Sequence, residues 1–93
     1  MGQYSLTISD EARQDLLHWE KVGDKSILRK IDRIFEELAF HPESGTGKPE
    51  PLRGNLSGCW SRRLNKQHRI VYKISDSTVT VIVISARGHY GDS

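Results

Sequence analysis

Residues 59–85, CWSRRLNKQHRIVYKISDSTVTVIVIS, break into three strand-like runs: Cys59 to Leu64, His68 to Ile74 and Thr78 to Ser85. β-Branched and aromatic residues dominate the last two, and short polar turns around Asn65-Lys66 and Ser75-Asp76-Ser77 separate the three. Such a pattern predicts an antiparallel meander. Val79 to Ile84 is apolar on both faces and is expected inside the sheet, whereas the two preceding strands carry Arg62, Arg63, Arg69 and Lys73 at positions expected to be exposed.

Before this segment the pattern changes period. Tyr4-Ser5-Leu6-Thr7-Ile8 alternates apolar and polar side chains as a half-buried strand does, and Ser9, followed by Asp10 and Glu11, reads as a helix N-cap with acids in the first turn. The helix that follows keeps helical spacing through Ala12, Leu16, Leu17 and Trp19 and stops at Gly23, after which Asp24 caps a second one. Ile27, Leu28, Ile31, Ile34, Phe35 and Leu38 form one stripe of that second helix, its charged residues stay outside, and Pro42 ends it. The order strand, helix, helix, three strands predicts an α+β domain over residues 1–93, with the helix pair packed on one face of an antiparallel-rich sheet. The other face is left for the arginines.

Residues 43–58 hold four glycines and two prolines and are expected to form a loop in which Pro49 and Pro51 stiffen the backbone on either side of Glu50. Charge is segregated around that glutamate. Residues 48–73 contain seven Lys or Arg against Glu50 alone, whereas residues 1–47 contain six basic residues against nine acidic ones. A whole-chain charge of +2 says little about partners, but a basic block interleaved with Trp60 and Tyr72 points to a polyanion. At 93 residues the chain can bury about 60–65% of its unfolded surface and fold without a metal or disulfide. The longest apolar run, Val81 to Ile84, is far too short to span a bilayer. One cysteine, Cys59, excludes an internal disulfide or a multi-cysteine metal site and accords with a reducing cytoplasm, and no signal peptide is legible.

The residues also offer a chemistry. Cutting RNA through its own 2′-hydroxyl requires a base to take that proton, an acid for the leaving 5′-oxygen, and cations for the charge growing on phosphorus. Glu50 is a candidate base, and His89, clustered with Arg87 and Tyr90 in the tail, is the best candidate acid, since a nearby phosphate raises an imidazole pKa. Arg62, Arg63 and Arg69 match the two-point geometry of phosphate, although strand arginines are also commonly salt-bridged. Loop glutamates and terminal histidines are usually just solvated, and Trp60 and Tyr72 can equally be base-stacking or core aromatics. His18, His41 and His68 show no metal-ligand spacing, and no nucleotide-binding loop or nucleophile elbow is present, so no metal or cofactor is expected.

The segment GKPEPLRGNLSGCWSRRLNKQHRIVYKI, followed by ARGHY, resembles the YoeB (Txe/YoeB) toxins of bacterial toxin-antitoxin pairs, within the wider RelE superfamily. The resemblance spans nearly the whole chain, from the first strand through the Trp19 helix to His89-Tyr90. It implies a RelE-like fold and a cytoplasmic, ribosome-dependent mRNA endoribonuclease that cuts messages in the decoding site. The implied partners are the ribosome and mRNA, and a neutralising antitoxin of the YefM/Phd type through which the complex binds operator DNA. Carried over by position, the resemblance makes Glu50 the general base, Arg69 the phosphate-stabilising arginine, His89 the general acid and Tyr90 the terminal active-site tyrosine. Arg53 and Arg63 fall on supporting basic positions, and Lys48, Arg62 and Arg87 complete the expected RNA-binding set. Gln67, Arg53, Gly88 and the tail Gly91-Asp92-Ser93 depart from the family pattern. Two other classes fit the same fold: a ParE-type toxin that binds its target without cutting it, and a basic accessory subunit that only binds a repressor partner on DNA. The first has no need of Glu50 together with His89, and a translation assay with the purified protein separates the second from the other two readings.

Overall fold

The computed structural model describes residues 3–54 and 58–85. In chain order the elements are β1 (Ser5–Ile8), α1 (Asp10–Val22), α2 (Lys25–Leu38), β2 (Glu50–Pro51), β3 (Cys59–Arg63), β4 (Arg69–Ser75) and β5 (Thr78–Ser85). The strands make one sheet in the order β1-β5-β4-β3-β2, with β1 parallel to β5 and every other neighbouring pair antiparallel. This is the α+β arrangement expected from the sequence, with one addition. The segment expected to be wholly loop contributes β2, a two-residue edge strand formed by Glu50 and Pro51.

Both helices begin, and α1 ends, where their capping residues dictate. Ser9 Oγ accepts from the Ala12 N–H at 3.0 Å, Asp24 Oδ1 accepts from the Ile27 N–H at 3.1 Å, and Gly23 closes α1 in the left-handed region at φ 74°. The α2 stripe is the core: Ile27, Ile31, Ile34 and Leu38 are buried, with Leu28 and Phe35 packed partly against them. Their partners on the sheet are Ile70, Tyr72, Val79, Val81 and Ile84, so both helices cover the same face.

α1 does more than cover the sheet. Pairing between β1 and β5 stops at Ile8 opposite Val81, which leaves the outer edge of residues 82–84 without a strand partner. Side chains of α1 and its cap take over. Ser9 Oγ donates to the Ile82 carbonyl at 2.9 Å, the Ile84 N–H donates to Asp15 Oδ2 at 2.9 Å, and the Trp19 indole donates to the Ile84 carbonyl at 2.8 Å. An unpaired edge costs free energy wherever water cannot reach it. Asp15 is therefore buried, whereas Leu17, expected on the apolar side of α1, is 59% exposed. The hydrogen-bond demand of β5 outranks simple hydropathy here.

Candidate active site on the open face of the sheet

Successive side chains of a strand point to opposite faces, and residues paired across antiparallel strands point to the same one. On β3, Trp60 and Arg62 share the helix side with the following Leu64, while Cys59, Ser61 and Arg63 point away. On β4, Ile70, Tyr72 and Ile74 face the helices, which sends Arg69, Val71 and Lys73 to the open side. The register then fixes what lies together on that side. Glu50, Ser61, Val71 and Val83 form one row across four strands, and Arg63 and Arg69 form the next. Ser61, Val71 and Val83 are small and buried, whereas Glu50 and Arg63 are exposed and Arg69 is half-buried.

Glu50 and Arg69 are separated by two strand spacings and one side-chain repeat, about 12 Å between Cα atoms. Two long side chains reaching inward from that distance can contact opposite sides of a single phosphodiester group. The backbone around Glu50 is tied at both ends: the Leu52 N–H donates to the Cys59 carbonyl at 2.8 Å, and the Arg63 N–H donates to the Gly47 carbonyl at 2.7 Å. Gly47 has φ 85°, and a Cβ there would lie 2.7 Å from the Arg63 carbonyl oxygen, so this approach requires glycine. Pro51 is tolerated because β2 is an edge strand. Lys48 and Arg53 are exposed on either side of β2 but lie outside the two rows.

Arg62 does not belong to this surface. Expected exposed, it is fully buried on the helix side, and every donor of its guanidinium is used. Nε donates to the Tyr72 hydroxyl at 3.1 Å; Nη1 donates to Glu37 at 2.5 Å and to the Thr46 carbonyl at 3.3 Å; Nη2 donates to the His41 and Ser44 carbonyls at 2.9 and 2.8 Å. The Tyr72 hydroxyl donates in turn to the Pro42 carbonyl at 2.6 Å. Tyr72 is thus a core aromatic that braces the 41–46 loop, and Trp60 also packs against the core. Burial acts to raise the Glu37 carboxyl, but the Thr46 hydroxyl and N–H together with Arg62 outweigh it and hold the group below its usual value. On the open side, burial pushes the Cys59 thiol up against a weaker opposing pull from Lys73, which leaves it a poor nucleophile.

Residues 8–90 match the family described as YoeB-like toxin of bacterial type II toxin-antitoxin system. The chain belongs to this family. It is 44% identical over 86 residues to toxin YoeB of Mycobacterium bovis, covering 92% of this chain and 98% of that protein. It is 42% identical over 85 residues to toxin YoeB of Escherichia coli K12, covering 91% and 98%. Among solved structures, a YoeB/ParE toxin from Agrobacterium tumefaciens superposes with a TM-score of 0.80 at 34% identity, covering 87% of this chain and 95% of that one. A YoeB-YefM complex from Staphylococcus aureus superposes at 0.77 and 30% identity, covering 89% and 95%.

For this YoeB-family chain the structure brings Glu50, Arg63 and Arg69 onto one face, sets Lys48 and Arg53 at its margin, and removes Arg62 to the core. Arg87, His89 and Tyr90 lie outside the described residues. The strand character of Glu50 was hidden because two residues carry no periodicity. Arg62 carried a signal: it shares the parity of Trp60 and Leu64, so the alternation of β3 already directed it inward.

Proposed function

We propose that this protein is a ribosome-dependent mRNA endoribonuclease that cleaves message in the decoding site and so halts translation. The observation that carries the reading is the placement of Glu50, Arg63 and Arg69 in adjacent register rows on the face opposite the helices, in a chain of the YoeB family. Glu50 takes the proton from the 2′-hydroxyl of the nucleotide before the cut. The freed oxygen attacks phosphorus, Arg69 holds the charge that builds on the non-bridging oxygens, and His89 protonates the departing 5′-oxygen. Tyr90 completes the site, and Lys48, Arg53, Arg63 and Arg87 hold flanking phosphates. β5 ends at Ser85, directly across from Arg69, and four residues of chain can carry His89 no more than about 14 Å from that point. That reach includes the arginine the acid has to serve. With one acid and one base for the two proton transfers, the step is a transesterification for which no metal or cofactor is needed.

The partner that silences the toxin is an antitoxin of the YefM type, the kind that accompanies YoeB in the Staphylococcus aureus complex; the basic block of residues 48–73 should attract an acidic, apolar segment of such a partner. A non-cutting, ParE-type inhibitor has no use for Glu50 with His89. The deciding experiment maps cleaved ends on a defined message in translating ribosomes, with and without the protein. Cuts at a fixed position in the decoding site, leaving a 2′,3′-cyclic phosphate upstream and a 5′-hydroxyl downstream, are expected. A 5′-phosphate on the downstream fragment, or no cutting at all, overturns the assignment.

A further inference from the structure

The backbone that leads into Glu50 is wound against its own preference. Gly45, Gly47 and Lys48 have φ of 121°, 85° and 51°, and glycine relieves the first two. Lys48 has no such relief. Its Cβ makes the left-handed region costly, and a residue that precedes a proline is ordinarily extended. Asp76, the other described residue besides glycine with a positive φ, sits in the tight turn between β4 and β5, where aspartate tolerates that conformation. A backbone held in a disfavoured state persists only where its surroundings over-determine it, and such places cluster at functional groups. Glu50 is two residues beyond Lys48.

Bonds on both sides of Lys48 supply the hold. Beyond it, the ring of Pro49 locks one more dihedral, and Glu50 and Pro51 pair with Ser61 and Trp60. Before it, Thr46 is gripped from the helix side by the last turn of α2. The Thr46 N–H donates to Glu37 Oε1 at 2.8 Å, its hydroxyl donates to Glu37 Oε2 at 2.6 Å, and its carbonyl accepts from Arg62 Nη1 at 3.3 Å. Both oxygens of one carboxylate thus hold one residue, which fixes its orientation as well as its position. The next carbonyl, that of Gly47, accepts from the Arg63 N–H at 2.7 Å. From Thr46 to Glu50 the chain has no slack stretch in which a shift could be absorbed, so a displacement at Thr46 is passed on to Glu50.

We propose that Glu37 and Thr46 are positioning residues for Glu50: the paired bonds between them, made on the helix side of the sheet, hold the strained turn at Lys48 and so set where the base meets the 2′-hydroxyl on the open side. The inference rests on the nuclease reading above. The test measures single-turnover cleavage on message-programmed ribosomes by the full chain, at a temperature where each variant is folded. Thr46→Ser keeps the hydroxyl and should cut within about 2-fold of the parent. Thr46→Val keeps the shape without the hydroxyl and should cut about 10-fold more slowly, since a misplacement of about 1 Å can cost up to about 10²-fold. Glu37→Met removes both acceptors and should be at least as slow, with Thr46→Val adding nothing further to it. Thr46→Val leaves the Arg62–Glu37 pair in place and decides the question even if Glu37→Met does not fold. Ribosome affinity, measured with Glu50→Gln present so that the message stays whole, should be unchanged by Thr46→Val, which puts the loss in the chemical step. The decisive comparison is made in Glu50→Ala. With no base left to position, Thr46→Val should not lower the residual rate of Glu50→Ala. Parental cleavage by Thr46→Val overturns the inference, and so does an equal fold-loss from Thr46→Val with and without Glu50, which would mean that the bond serves the fold in general. A parent that cuts nothing, or Glu50→Ala that cuts at the parental rate, overturns the nuclease reading and this inference with it.

Discussion

β3 ends in two consecutive arginines that the sheet sends to opposite faces. Arg62 is completely buried among Glu37, Tyr72 and three loop carbonyls, and its five donors all have acceptors. Arg63 is exposed on the open face next to Arg69, and neither side chain forms a hydrogen bond or ion pair with another described residue. A guanidinium saturated by its own fold has nothing left for a substrate, whereas one left unsatisfied beside a carboxylate and a second arginine retains its full capacity for phosphate. The same residue type thus acts as a brace on one face and as an anion receptor on the other. The alternation of a single strand assigns the two roles.

The largest effect expected from breaking this contrast is on stability. Arg62→Ala leaves a part-buried carboxylate and three carbonyls without their donor, and loss of one partner of a buried pair typically costs about 3–5 kcal/mol. For a domain whose total stability is on the order of 5–15 kcal/mol, that is a large share. Arg63→Ala should stay within about 0.5 kcal/mol of the parent, as exposed substitutions usually do. Urea denaturation of the two variants, in a Glu50→Gln background for safe expression, measures the difference. Equal midpoints would show that the Arg62 network contributes nothing to holding the 41–46 loop.

On the open face the balance reverses, and function is lost while the fold is kept. Glu50→Ala and His89→Ala should each lower the rate of message cleavage by about 10² to 10⁴, the usual contribution of a general base or acid, with unchanged melting. Arg69→Ala should cost about 10² to 10³, as deletion of one donor to a developing charge does. Arg69→Lys should restore only part of the rate, because an ammonium supplies charge without the two-pronged geometry. Single-turnover cleavage on programmed ribosomes reads all four variants. Wild-type rates in Glu50→Ala would remove the carboxylate from the mechanism, and full activity in Arg69→Lys would mean that charge alone suffices.

Much of this was legible in the chain itself, and the failures have physical causes. The caps at Ser9, Gly23 and Asp24, the α2 stripe and the three C-terminal strands were readable because each follows from local geometry with a fixed period. Leu17 was misplaced on α1, and Asp15 passed over, because hydropathy does not register a strand edge in need of donors and acceptors 69 residues further along the chain. β2 was missed because its conformation is imposed by β3 and not by its own two residues. For the candidate site, the lone acid in a basic block singled out Glu50, and the phosphate-matching fork of arginine singled out Arg63 and Arg69, which the sheet register sets on one face with it. Treating arginine as an outward residue by default misplaced Arg62, although the same parity pointed it inward.

The smallest expected effect sharpens the comparison at the carboxylate end of the buried network. Glu37 has a folded-state pKa below its ordinary value of 4.5, because the Thr46 bonds and Arg62 more than offset the cost of burial. Between the folded and unfolded values the unfolded chain therefore binds more protons, so stability rises with pH in that window. The contribution is fully present above about pH 4.5 and is lost as the pH falls through the lower, folded value. Glu37→Gln preserves the shape and can still accept from Arg62 and from the Thr46 N–H, but it carries no charge and does not titrate. Charge-assisted bonds are roughly twice as strong as neutral ones, so the variant should lose about 1–2 kcal/mol at pH 7. Its stability should also fall less steeply than that of the parent on acidification from pH 5. Denaturation midpoints at pH 7, 5 and 4 give both quantities, with Arg63→Ala as the reference that leaves the acid limb intact. Parallel curves for the parent and Glu37→Gln would mean that the carboxylate is no more acidic in the folded protein than in the unfolded chain, and that Arg62 is held by the loop carbonyls and Tyr72 alone.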